Sequence, residues 1–137
     1  GGGRVRVSWG PHADRFDPCS KLTLQEGRYT ITVDSNRMGY RLDGPSLTHT
    51  DGADLISEAT PIGALQVPAS GQPILLMADR QTTGGYPIIG TVIAADLPIV
   101  GQLLPGDWLE FEECDLQEAV EALIVRERSL LSLVSDP

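Results

Sequence analysis

A mainly β fold, closed as a barrel or stacked as a sandwich, is what this sequence predicts, on three observations. Clusters of Gly, Pro, Asp and Asn recur about every 8 to 12 residues. Short runs rich in Val, Ile, Leu and Thr lie between them, several alternating polar with apolar as a half-buried strand does. Only residues 115–134 carry a helical period over any length.

The elements follow in order. Residues 4–8 alternate basic with apolar, and residues 28–34 put Tyr29, Ile31 and Val33 on one side of a strand. A strand over 38–42 follows the Asn36-Arg37 turn. Strands over 64–67 and 73–78 flank Pro68-Ala69-Ser70-Gly71 and predict a hairpin. The continuous apolar run over 88–94 fits a strand covered on both faces. The strand over 108–112 follows Pro105-Gly106-Asp107, a strong turn signal. Residues 13–16 read as one short helical turn. In the helix over 115–134, Leu116, Val120, Leu123, Leu130, Leu131 and Val134 share a face, and Asp115 with Glu118 forms a capping pattern at its start.

At 137 residues the chain is expected to be a single domain, 1–137, large enough to bury roughly two thirds of its unfolded surface. Gly1-Gly2-Gly3 reads as an edge left by cleavage or engineering, without the basic and apolar pattern of a leader after it. No apolar run approaches the ~20 residues that span a bilayer. The net charge of −9 and the 5% of aromatic residues argue against a nucleic-acid surface, which needs cations and stacking platforms, and the charge also disfavours an anionic membrane. Acidic residues gather at Asp107, Glu110, Glu112, Glu113, Asp115, Glu118 and Glu121, a pattern expected of a solvated face. Cys19 and Cys114 are isolated, and His12 and His49 are too few for a metal centre; a reducing, cytoplasmic setting without a metal is the expectation.

Chemistry concentrates in DRQTTGGYP, residues 79–87, directly after the apolar run 74–77. Arg80 offers a planar fork for a carboxylate or phosphate, Gln81 an amide, and Thr82 and Thr83 hydroxyls. Gly84-Gly85 opens backbone conformations closed to other residues and lets a ligand approach main-chain N–H groups, and Tyr86 closes the stretch. The same residues also fit a tight loop in which Asp79 pairs with Arg80 or caps the turn. A faint echo links residues 35–40 to residues 78–86, each placing an acidic or amide side chain before Arg and then Gly-Tyr. Through that echo Arg37, Met38 and Tyr40, with Arg41 beyond them, are placed beside the same cleft. Gln66 can donate into it from its strand, and His12, an imidazole of the kind used as a general acid or base, is a further candidate. No Ser-His-Asp order, phosphate loop or dinucleotide fingerprint is present, so nothing marks a nucleophile or an ATP site.

Taken together, GPHADRF (10–16), SNRMGYRLDGP (35–45), GADLISE (52–58), GALQVPASGQPILLMADRQTTGGYPIIGTVIAADLP (63–98) and GQLLPGD (101–107) closely resemble a carboxyltransferase-like family. That family comprises the C-type subunit of 5-oxoprolinase, allophanate hydrolase subunit 2 and the antagonist of a sporulation-kinase inhibitor. The resemblance is to the C-terminal half of its members and implies a cyclophilin-like closed β-barrel. It implies a homologous partner, the B-type subunit, and a third, ATP-using component, with which 5-oxoproline is opened to glutamate. ATP is then held mainly by another subunit, and the isolated chain is expected to be inactive. Two other roles are implied by the same family: carboxyl transfer from carboxybiotin to urea, and non-catalytic regulation of a homologous partner. On this resemblance Arg80, Gln81, Thr82 and Thr83 become the catalytic candidates, while Gly84, Gly85, Tyr86, Arg37, Met38, Tyr40, Gln66 and His12 become the substrate-binding ones. Two positions depart from the family pattern: Asn36 stands where members usually carry Asp, and Ile88 where they usually carry Lys.

Overall fold

The computed structural model describes residues 1–50, 52–53 and 58–135. Seven strands form a closed barrel: β1 (Gly2–Trp9), β2 (Tyr29–Ile31), β3 (Gly39–Asp43), β5 (Ala64–Gln66), β6 (Ile74–Leu76), β8 (Ile88–Val92) and β9 (Trp108–Glu113). Their order around the wall is β1-β8-β5-β6-β3-β2-β9. Two further strands of two residues each, β4 (Glu58–Ala59) and β7 (Thr83–Gly84), pair with one another outside the barrel. The helices are α1 (Ser20–Glu26), α2 (Leu97–Gly101) and α3 (Leu116–Ser135), with single 3-10 turns at Ala13–Arg15 and Ala94–Asp96.

Closure joins the two ends of the chain. β1 runs parallel to β9 from Gly2 beside Trp108 to Val7 beside Glu113, and pairs antiparallel with β8 at Val7 to Trp9 on its other side, which closes the barrel. Alternation along β1 sends Val5 and Val7 into a fully buried interior with Leu109, Phe111, Leu65, Leu75 and Ile89. Each such side chain contributes about 1.5–3 kcal/mol through burial. Tyr29 joins them, its ring edge-on to Phe111 and its hydroxyl donating to the Pro45 carbonyl at 2.7 Å. Burial pushes the Tyr29 phenol up to about 12.

The intervening residues of β1 face outward. Arg4 pairs with Glu112 at 3.0 Å, and Arg28 lies over the Trp108 ring and reaches Glu110 at 3.3 Å. Glu113 accepts from the Trp9 indole N–H at 2.8 Å, and Asp107 accepts from Leu104 N–H. The C-terminal acidic residues are thus partly engaged with neighbouring groups, and not simply a solvated face, because β1 brings its side chains alongside β9.

Predicted and observed strands agree in place and differ at their ends. The 64–67 and 73–78 runs form the antiparallel hairpin β5–β6, and β8 is buried on both faces as its apolar run requires. Val33 is 87% exposed instead of lining the interior, because the strand ends at Ile31 and the chain turns through Thr32–Ser35. At Pro105-Gly106 the predicted turn closes with Asp107 N–H donating to the Leu104 carbonyl at 2.9 Å, and Gly106 takes φ +95°, which a side chain would resist. α1 and α2 escape sequence reading: seven residues burying only Ser20 and Leu24, and five containing a proline, carry too little periodicity to be seen.

α3 begins as its capping pattern predicts, with Asp115 Oδ1 accepting from Glu118 N–H at 2.7 Å. A side-chain hydrogen bond to Asp115, reinforced by that residue's charge, lifts the Glu118 carboxyl above its ordinary range. The expected apolar face is only partly used. Val120 and Leu123 lie along a groove walled by Ile62, Ile93 and Leu97, whereas Leu116 is 76% exposed and Leu130 and Leu131 also face outward. The side chain of Val134 lies outside the described residues, as do Asp54 to Ser57 of the GADLISE motif. Among the described residues, no helix is long and apolar enough to cross a membrane. Cys19 and Cys114 are free thiols, the first exposed and the second buried.

A half-buried ion pair, its carboxylate buried and its guanidinium partly exposed, ties the 3-10 turn before α2 to β1. Asp96, 4% exposed, accepts from Arg6 N–H, Nε and Nη2 at 2.8, 2.9 and 2.7 Å. Burial alone would raise the Asp96 pKa, but the hydrogen bonds and charge of Arg6 outweigh it and hold the carboxyl below its ordinary value. A depressed folded-state pKa stabilises the protein fully above the ordinary carboxylate range and loses that stabilisation as pH falls through the folded value. Asp96→Asn should therefore flatten the loss of stability on acidification, and Asp96→Ala should cost about 2–4 kcal/mol at neutral pH. Denaturant melts across a pH series read both effects.

Candidate functional site

A cleft of about 330 Å³ lies on the outer wall of the barrel, under the β4–β7 ribbon. Strand alternation builds its floor. On β3, β5 and β6, Tyr40, Leu65 and Leu75 turn inward to the core, which sends Gly39, Arg41, Gln66, Ile74 and Leu76 to the other face. Register sets them side by side: Gly39 opposite Leu76, Arg41 opposite Ile74, and Gln66 opposite both Ile74 and Ile88. Ala64, Leu76 and Ile88, with Ile74 against them, form a second small apolar cluster beneath the ribbon.

The ribbon supplies the opposite wall. Gln81, Thr83, Gly84, Gly85 and Tyr86 reach the cleft from the DRQTTGGYP stretch, and Thr60 from the facing segment. Thr60 N–H donates to the Thr82 carbonyl at 3.0 Å, and the Thr60 hydroxyl donates to the Gln81 carbonyl. Gly84 sits directly over Gln66, so a Cβ there would lie 2.5 Å from the Gln66 carboxamide nitrogen. The backbone of Gly84 does not occupy the left-handed region. Its missing side chain matters for close approach to Gln66, and the unusual dihedrals expected from the sequence are not what the loop uses.

Asn36 and Met38 complete the lining from the β2–β3 turn. Asn36 Oδ1 accepts from Met38 N–H at 2.8 Å and Gly39 N–H at 3.3 Å, the acceptor role that an aspartate would fill, and an amide in that place adds donors without adding charge. The two stretches related by the Gly-Tyr echo are stitched together: Asp79 N–H donates to the Arg37 carbonyl, Met77 N–H to the Met38 carbonyl, and Arg37 Nε pairs with Asp79 Oδ2 at 3.1 Å. Both do face one cleft.

The structure divides the candidates named from the sequence. Gln81, Thr83, Gly84, Gly85, Tyr86, Met38 and Gln66 line the cleft together. Arg80, Thr82, Arg37, Tyr40 and His12 are not among its described lining residues. Arg80 Nε donates to the Thr60 carbonyl at 2.7 Å and Nη1 to the Ala78 carbonyl at 3.4 Å, so its fork braces the ribbon. Asp79 pairs with Arg37 and not with Arg80. Tyr40 packs on the core and its hydroxyl donates to the Leu103 carbonyl at 3.4 Å. His12 is buried: Nδ1 accepts from Ile88 N–H at 3.0 Å, which places the ring proton on Nε2, 3.0 Å from Glu58 Oε2. It links the start of β8 to β4, and Ile88 itself is buried in the apolar cluster with Ala64 and Leu76.

Reasoning from the sequence left out Asn36, Gly39, Thr60, Ile74 and Leu76 as lining residues, and named Arg41 only as a neighbour. Asn36 and Gly39 lie within the quoted motif, so a signal existed. Thr60 had none, since it reaches the cleft only through pairing across a long stretch of chain.

Residues 2–113 match the family model described as carboxyltransferase domain, subdomain A and B. The chain belongs to this carboxyltransferase domain family. Among relatives, the C-type subunit of 5-oxoprolinase from Escherichia coli (strain K12) is 42% identical over 121 residues, covering 88% of this chain and 39% of the relative. Its counterpart from Haemophilus influenzae is 48% identical over 106 residues, 77% of this chain and 34% of the relative. The chain thus spans well under half the length of either. The solved structure of the K. lactis urea amidolyase superposes with a TM-score of 0.85 at 25% identity, over 92% of this chain and 8% of that one. The closed barrel expected from the resemblance and the C-terminal helix expected from helical spacing are the architecture observed.

Because the Gln66 carboxamide is the flexible end of a side chain, Gly84→Ala should displace it and leave the barrel intact. The expected result is a change in stability below about 1 kcal/mol, with the Gln66 side-chain amide resonances shifted. A loss of several kcal/mol on thermal melting would show that the ribbon itself cannot accept the methyl group.

Proposed function

We propose that the cleft binds the carbonyl of a small amide or lactam, and that the chain works as part of a 5-oxoprolinase-type complex that couples ATP hydrolysis to opening of 5-oxoproline to glutamate. One observation carries the reading: the neutral donors of Gln66, Gln81, Thr83 and Asn36 converge with the Gly84 backbone in one cleft whose described lining includes no carboxylate. Donors carried on paired strands stabilise the negative charge that develops on a carbonyl oxygen under attack. No described lining side chain is an activated nucleophile, so the cleft's contribution is positioning and polarisation.

Arg80 acts on this cleft through Thr60 and not by touching substrate. Thr82 contributes its carbonyl to the ribbon. A single guanidinium in the described lining does not suit a triphosphate, so ATP is assigned to another component of the complex. The partners in this reading are a homologous subunit and that ATP-using component, with the isolated chain inactive. Support comes from relatives at 42% and 48% identity, both C-type subunits of 5-oxoprolinase, against 29% for the urea amidolyase of Saccharomyces cerevisiae.

The close superposition on the K. lactis urea amidolyase favours a second reading, carboxyl transfer from a biotin carrier to a small amide. The two separate in one assay. With partner subunits supplied, the first reading expects 5-oxoproline-dependent ATP turnover that is insensitive to avidin and falls about 100-fold in Gln66→Leu or Thr83→Val. Turnover unchanged in both variants would reject the cleft, and turnover abolished by avidin would move the assignment to carboxyl transfer.

A further inference from the structure

Three arginines stand around the cleft, and the structure uses them differently. Arg37 is held by Asp79 at 3.1 Å, and Arg80 is spent on the carbonyls of Thr60 and Ala78. Arg41 lines the cleft, is exposed, and its guanidinium takes no partner among the described residues; Asp43, two residues along β3, does not bridge to it. In a chain of net charge −9, the described lining of the cleft therefore presents one cation without a partner among the described residues, and no anion.

The placement of Arg41 is firm even though the side chain is exposed. Its backbone is pinned in the sheet opposite Ile74, and its N–H donates to the Ser35 hydroxyl at 2.9 Å. The neighbouring floor is apolar, Ile74 and Leu76, and the far wall carries the neutral donors Gln81 and Thr83. Across the cleft the surface thus changes from cationic through apolar to neutral hydrogen-bonding. A small ring with a carboxylate on one side and an amide carbonyl on the other matches that order, and a neutral amide leaves the guanidinium unanswered.

Resting on the reading of the preceding section, we propose that Arg41 is the specificity-determining residue of the cleft, binding the carboxylate of an anionic lactam and so selecting it over neutral amides. A planar guanidinium answers a carboxylate with two parallel N–H donors, which a lysine in the same place does not reproduce. Residue types alone offer this role to Arg80, which is not among the described lining residues and whose Nε is bonded to the Thr60 carbonyl.

The test titrates the 137-residue chain with 5-oxoproline, with its neutral carboxamide and with 2-pyrrolidinone, following binding by NMR or calorimetry. Wild-type protein should bind 5-oxoproline at least about tenfold more tightly than either neutral lactam. Arg41→Gln should remove that preference, leaving the affinity for the neutral lactams within about twofold, and Arg41→Lys should restore only part of it. Unchanged melting curves establish that the variants are folded. Undiminished 5-oxoproline binding in Arg41→Gln, or an equal loss toward charged and neutral lactams, would overturn the Arg41 assignment while leaving the cleft reading in place. Wild-type protein that binds none of the three would overturn the cleft reading and this assignment with it.

Discussion

Alternation along β3, β5 and β6 is the constraint on which the cleft depends. Tyr40, Leu65 and Leu75 must face the interior because the barrel has no other place for them, and that obligation turns Arg41, Gln66, Ile74 and Leu76 outward beneath the ribbon. A slip of one residue in any of these strands would put a guanidinium or a carboxamide into the core and a large apolar side chain into the cleft. The interior thus fixes the chemistry of the outer wall without touching it. Closure of β1 on β9 completes the enclosure, since an open sheet would leave Val5, Val7, Leu109 and Phe111 with less to pack against.

The second determinant is the use of polar groups as struts. Arg80 holds Thr60, Arg37 holds Asp79, Asn36 shapes the β2–β3 turn, and His12 joins Ile88 to Glu58. These interactions satisfy polar groups that would otherwise stand unpaired, at an expense of about 1–3 kcal/mol each where buried. They also remove charge from the site. What remains in the described lining is neutral apart from Arg41, so a strongly acidic chain presents a cleft whose described lining carries no negative charge.

The barrel places the cleft on its exterior, not within its bore. The bore is filled by Tyr29, Phe111 and the aliphatic residues around them, leaving the wall as the surface that can hold a ligand. A site on an outer wall is open on one side. The exposed apolar residues of α3 belong to the same picture of a chain whose surface is not uniformly polar.

By itself the sequence determined the strand-rich class, the β5–β6 hairpin, the turn at Gly106, the cap of α3 and the concentration of hydrogen-bonding groups over 79–87, because each of these is written in residues close together along the chain. Gln66, Met38 and the Gly-Gly-Tyr stretch could be placed in one site for the same reason, through motif and echo. Only the tertiary structure decided which arginine faces the cleft, that Thr60 joins it, that Val33 is exposed and that His12 is a buried brace. Those outcomes turn on pairing between distant segments, on register, and on competition among hydrogen-bond partners that meet only after the barrel has closed.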